Sequence, residues 1–151
     1  MKRRAFLRTA GAAVAVVSLP AAGQALLPRH DVAAMIAAIA GGAIPEHSGV
    51  DVEIPALAEN GNSVPLRIRV ASPMTAQDHV SAIHVFAERN PRPRVATFQL
   101  GPQIGRAEIA MRIRLAVAQK VTVLATLSGG RFRIGEADVF VTSSACLDEG
   151  P

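Results

Sequence analysis

The sequence predicts a mainly β protein: an immunoglobulin-like antiparallel β-sandwich preceded by one short helix. Three observations predict it. From about residue 50 onward, apolar and polar residues alternate with period two, the mark of strands that bury one face. Asn-Gly, Gly-Gly and Pro-rich turn signals separate these runs. The chain has 151 residues, of which the first 25 read as a leader, leaving 126. That length suits one domain able to bury its own core. A closed barrel is the alternative arrangement of the same strands.

The leader opens Met1-Lys2-Arg3-Arg4-Ala5-Phe6-Leu7-Arg8. Adjacent Arg3 and Arg4, followed after one residue by Phe-Leu, match the twin-arginine pattern of the bacterial route that exports folded proteins. Thr9 to Leu19 is apolar and uncharged, too short for the roughly 20 residues that span a bilayer. Pro20 and the small-residue run Ala21-Ala22-Gly23-Gln24-Ala25 follow. Small residues at 23 and 25 suit a signal peptidase, so cleavage is expected after Ala25; an uncleaved membrane anchor is the alternative.

Removing the leader changes the charge. The chain has 16 Lys and Arg and 12 Asp and Glu, and four of the basic residues but none of the acidic ones lie in the leader. The mature chain is thus formally neutral, with 12 of each. With no Trp or Tyr to stack on bases, nucleic-acid binding has no support. After cleavage no membrane association is expected.

The elements follow in order. Asp31 is an N-cap for a helix over Val32 to Ala40, which carries Met35, Ile36 and Ile39 and which Gly41-Gly42 stops. Val50, Val52 and Ile54 alternate with Asp51 and Glu53. Ala58-Glu59-Asn60-Gly61-Asn62 reads as a turn in which Asn-Gly supplies the positive φ of a tight hairpin. Val64 to Val70 alternates again, and Pro65, unable to donate to a ladder, places the strand's start or an edge there. Strands are expected over His79–Ala87, Val95–Leu100, Ile109–Leu115, Val121–Leu127, Arg131–Ile134 and Ala137–Thr142. Turns fall at Asn90-Pro91-Arg92-Pro93, Gly101-Pro102 and Ser128-Gly129-Gly130. The count is seven or eight strands. The organisation expected is a leader over 1–25, a helix and linker over 26–48, a sandwich over 49–142 and a cysteine arm over 143–151.

Cys146 is the only cysteine and stands five residues before the end of the sequence. In an oxidising compartment it has no internal disulfide partner. It is buried and inert, paired with another molecule, or free and reactive. A thiol on a terminal arm can reach another protein's site and hold a covalent group, acting as its thiolate. The other residues that could do chemistry form no constellation. His30, His47, His79 and His84 lack metal-ligand spacing, and no metal site is expected. Ser143 and Ser144 have no base arranged beside them. Arg67 with Arg69, and Arg112 with Arg114, each put two cations on one strand face. They read as a solvated face paired with acids such as Asp51 and Glu53, or as a partner-binding or anion-steering surface.

Several segments together resemble SoxY, the sulfur-carrier subunit of the bacterial thiosulfate-oxidising Sox system. They are Ala58-Glu59-Asn60-Gly61 leading to Val64-Pro65, Arg89-Asn90-Pro91-Arg92-Pro93, Met111-Arg112-Ile113-Arg114-Leu115-Ala116 with Gln119 and Val121, and Val141-Thr142 before the cysteine. The resemblance implies an Ig-like sandwich and a twin-arginine leader. It also implies a periplasmic location and pairing with a SoxZ-like β-sandwich subunit that lacks a leader. On this resemblance Cys146 is the covalent sulfur carrier, presented to periplasmic sulfur-oxidising enzymes. The protein itself would be no enzyme and would need no cofactor. A binding or assembly subunit, its cysteine unused for turnover, is the alternative.

The arm departs from the SoxY ending, which is Gly-Gly-Cys-Gly-Gly. Here Ser144, Ala145, Cys146, Leu147 and Asp148 stand in that place, closer to a SoxY-related ending that reads Ala-Ala-Cys-Ile-Glu. Asp148 and Glu149 put negative charge near the thiol, which disfavours the thiolate and slows its attack. Leu147 is bulky where a glycine arm is slim.

Overall fold

The computed structural model describes residues 27–145. The expected leader, with Arg3 and Arg4, lies outside the described residues, as do Cys146, Leu147 and Asp148 of the arm.

Helix α1 spans Val32–Ala40. Its N-cap is Asp31, whose Oδ1 accepts a hydrogen bond from Ala34 N at 2.9 Å. Gly41 ends it at φ 61°, a left-handed conformation that glycine adopts without a Cβ penalty. Eight strands follow: β1 (Val50–Glu53), β2 (Leu57–Ala58), β3 (Val64–Val70), β4 (Val80–Ala87), β5 (Arg94–Gln99), β6 (Ala107–Ile113), β7 (Gln119–Leu127) and β8 (Arg131–Val141). They form a three-stranded sheet in the order β1-β3-β6 and a five-stranded sheet in the order β2-β8-β7-β4-β5.

The period-two faces meet between the sheets. Val64, Leu66, Ile68 and Val70 of β3 are buried, while Pro65 and Arg67 are exposed. They pack with Ile83, Val85, Val121, Val123 and Val139 of the larger sheet in one core. Each large side chain fully buried there contributes roughly 1.5–3 kcal/mol. A second, smaller core lies on the outer face of the five-stranded sheet, where Ile36 of α1 covers Phe86, Leu124 and Ile134. The helix thus closes a face that would otherwise expose apolar side chains.

The expected sandwich and helix are present, with four differences in detail. First, the 54–63 connection is no tight hairpin. It crosses to the other sheet, where β2 pairs parallel with β8, Leu57 opposite Phe140 and Ala58 opposite Val141. Second, Gly61 is not among the residues with positive φ. Asn60 Oδ1 instead accepts from Asn62 N at 2.9 Å, an Asx turn. Third, β6 stops at Ile113, opposite Val64, the first residue of β3. Beyond it Leu115 has no strand partner, although it continues the apolar alternation. Fourth, β8 runs unbroken through Gly135. A Cβ at that position would lie 2.8 Å from Val50 Cγ1 and Val50 O, so glycine there admits β1 rather than ending the strand. Pro65 sits at the start of β3, on the stretch that β1 does not reach, since β1 ends opposite Arg67.

Candidate functional site

Chain leaving the end of β8 is tied down residue by residue. On one side runs the 56–61 segment, parallel to it. Phe140 N donates to Ala56 O at 2.8 Å, Thr142 N to Ala58 O at 3.0 Å and Thr142 Oγ1 to Glu59 O at 3.1 Å. Gly61 N donates to Ser143 O at 2.8 Å. On the other side lies Leu115, whose carbonyl accepts from Ala145 N at 3.2 Å and whose N–H donates to Gly61 O at 2.8 Å. Gly61, Leu115 and the 143–145 segment therefore form a closed triangle of main-chain hydrogen bonds. Of the two arm residues expected before the cysteine, Ser144 is exposed and Ala145 is buried. The described chain ends on this triangle, one peptide bond before Cys146.

Leu115 is itself held from behind. Its side chain is fully buried in the core. Its two neighbours are bracketed by Asn90: Nδ2 donates to Arg114 O at 2.8 Å, and Oδ1 accepts from Ala116 N at 3.0 Å. Gln119 Nε2 donates to the same Oδ1 at 2.9 Å and to Val117 O at 3.1 Å, while its Oε1 accepts from Arg89 N at 2.8 Å. Buried amides that satisfy this many backbone groups fix a loop in one conformation.

The other expected candidates do not join this site. Arg69 pairs with Glu53, with Asp51 at 3.5 Å and with Glu108 at 3.4 Å. Its pKa is raised, chiefly by the Glu53 hydrogen bond. Arg67 faces Glu108 at 3.9 Å, and Arg112 Nη2 donates to Ser63 O at 2.9 Å. Arg67 and Arg69 thus occupy a solvated face with cross-strand acids. His79 Nδ1 lies 3.1 Å from Thr75 O and His84 Nδ1 lies 3.2 Å from Thr97 Oγ1. Burial, then the charge of Arg94, lowers the His84 pKa. Among the described residues no three His, Cys, Asp or Glu side chains are grouped to hold a metal ion. None of their helices is long and apolar enough to cross a membrane.

A groove of about 660 Å³ runs beside α1 where it meets the outer sheet face, lined among others by His30, His47, Glu88, Lys120 and Glu136. Its two cations are each paired with an acid, while Asp31 and Asp138 leave an excess of negative charge. Lys120 Nζ meets Glu136 Oε2 at 3.0 Å, which raises the lysine pKa, and Arg29 Nε meets Glu88 Oε1 at 3.4 Å.

Reading the sequence as turns and strands does not assign the roles of Gly61, Asn90, Leu115 and Gln119. A signal for one of them was present: Gln119 interrupts an apolar run just where β7 begins, and a polar residue at such a position buries only with partners.

A family model described as "Sulfur oxidation protein SoxY" matches residues 36–146. Among solved structures, the sulfur carrier protein SoxY from Chlorobium limicola f thiosulfatophilum is similar at 28% identity and a TM-score of 0.60, over 74% of this chain and 96% of that one. A superoxide reductase (neelaredoxin) from Ignicoccus hospitalis is similar at 12% identity and a TM-score of 0.56, over 62% of this chain and 80% of that one. A putative superoxide reductase from Thermotoga maritima is similar at 17% identity and a TM-score of 0.52, over 61% and 84%. At such identities the two reductases share the sandwich fold alone. No match is found among curated proteins.

Proposed function

This chain belongs to the SoxY family of sulfur-oxidation proteins, and on that premise we propose that it is an exported carrier that holds a sulfur-compound adduct on Cys146. The observation that carries the reading is the extent of the match, which runs from the helix up to and including Cys146. The likeness to a sulfur carrier over 96% of that carrier's length supports it. The chemistry is that of a thiolate joined to a sulfur or sulfonate group as a disulfide-type adduct. Partner enzymes supply the oxidation and remove the product, while this protein supplies attachment and reach. A SoxZ-like β subunit is the partner proposed for the sandwich, and the periplasm the compartment.

A second reading is a binding or assembly subunit. It draws on Leu57 and Phe140, which lie in register on β2 and β8 and are 58% and 67% exposed. An exposed apolar pair of this kind suits a partner surface whether or not the cysteine turns over.

Intact mass decides between the two. Protein isolated from its native host should carry a mass adduct that a thiol reductant removes, and Cys146→Ala should lose the adduct while keeping its fold. An unmodified thiol under sulfur-oxidising growth would refute the carrier reading and leave the assembly reading.

A further inference from the structure

The sandwich end at which the described chain stops is built from parts far apart in sequence: 58–61, Asn90, 114–119 and 141–145. Gly61 stands where they meet. A Cβ at Gly61 would collide with the Leu115 carbonyl oxygen and lie 2.9 Å from Ala145 N and 3.0 Å from Val141 Cγ1. Its φ is not positive, so no backbone conformation demands glycine there. What demands it is the close passage of the chain that leads to Cys146. The same residue offers its N–H to Ser143 O and its C=O to Leu115 N. Leu115 in turn is fixed by its buried side chain and by Asn90 on both flanks.

The geometry points to Gly61 as a positioning residue for Cys146: with Leu115 it forms a seat that clasps Ser143 and Ala145 and sets the point from which the cysteine is presented. The proposal rests on the reading of Cys146 as the carrier. Its effect is mechanical. Ala145 directly precedes Cys146 in the chain, so a seat that holds Ala145 sets how far from the sandwich the thiol works. Were the clasp absent, the tether would lengthen by the residues back to Thr142, which Ala58 and Glu59 still hold, and the thiol would sample a larger volume at a lower effective concentration in any partner's site.

The test uses the mature chain, in which Cys146 is the only thiol. A methanethiosulfonate nitroxide placed on it reports local motion, and amide hydrogen exchange at Ala145 reports the clasp. Gly61→Ala adds one methyl at the crossing. It should speed exchange at Ala145 by roughly tenfold, the scale of one lost hydrogen bond, and narrow the nitroxide spectrum. Gly135→Ala is the control for destabilisation alone, since its methyl meets Val50 in the sandwich; it should lower the melting temperature without either change. Ala145→Pro removes the donor to Leu115 from the arm side. It should narrow the spectrum even if Gly61→Ala fails to fold.

In the native host, Gly61→Ala should also reduce the fraction of Cys146 bearing a reductant-labile adduct. Unchanged Ala145 exchange and spectrum in Gly61→Ala, or equal changes in Gly135→Ala, would overturn the seat. Exchange and label need no cargo. A native protein that never bears an adduct would therefore sink the carrier reading while the seat stood or fell on its own readouts.

Discussion

Asn90 Oδ1 and Gln119 Nε2 lie 2.9 Å apart, and the two side chains, each 6% exposed, close the loop behind Leu115. Removing Asn90 leaves the Arg114 carbonyl and the buried Ala116 N–H without their partners. Asn90→Ala should therefore cost about 2–4 kcal/mol, measured by chemical denaturation. Asn90→Asp keeps the acceptor for Ala116 N but loses the donor to Arg114 O, and should still destabilise the fold. An effect below about 0.5 kcal/mol for Asn90→Ala would show that the amide is not needed to hold this loop.

Acid should weaken the sandwich through His84. The ring is partly buried, stacked near Phe86 with centroids 6.4 Å apart, and its folded pKa lies below the ordinary 6.5. The folded state thus takes up this proton less readily than the unfolded chain does. The contribution is complete above the unfolded value and is lost as pH falls through the depressed folded one. Between about pH 7 and pH 5, the melting temperature of His84→Gln should fall less than that of the parent. Parallel curves would assign the acid sensitivity to other groups.

Export is expected to follow the arginine pair. Arg3-Arg4→Lys-Lys should leave the full-length chain in the cytoplasm, together with any leaderless β partner that travels with it, as seen by fractionation and pull-down. Normal export of this variant by the unfolded-chain route would contradict the twin-arginine reading.

The residues after the cysteine make a separate claim. Replacing Leu147-Asp148 with Gly-Gly removes a nearby negative charge and a bulky side chain. The thiol pKa should drop, and alkylation of Cys146 at neutral pH should become severalfold faster. Identical rates would show that Asp148 does not act on the thiol.

The faces of the strands were legible in the sequence because burial imposes its period locally. Val64, Leu66, Ile68 and Val70 announce their inward side, as Asp31 and Gly41 announce the ends of the helix. The candidate site was legible only as a set of segments. Asn60-Gly61 and Asn90-Pro91 read as turns, since local chemistry cannot separate a glycine needed for its φ from one needed for a close passage. Leu115 reads as the end of a strand because its side chain keeps the rhythm after its backbone has found other partners. Parallel β2 has two residues and no rhythm at all; its partner comes 83 residues later in the chain. Such pairings are set by the fold as a whole, not by the residues beside them.

That separation has a consequence for the order of folding. Thr142 and Glu59 are joined across 83 residues, whereas β7 and β8 close over the three residues between Leu127 and Arg131. Long closures come late, because the entropy of ordering the intervening chain is lost before their contacts are gained. The clasp at Ala145 is accordingly a record of completion: it can shut only on a chain whose two sheets have already assembled. On the proposed reading of an exported carrier, Cys146 would reach its working position only in molecules that had finished folding, and an unfinished chain would present no aligned thiol to a partner.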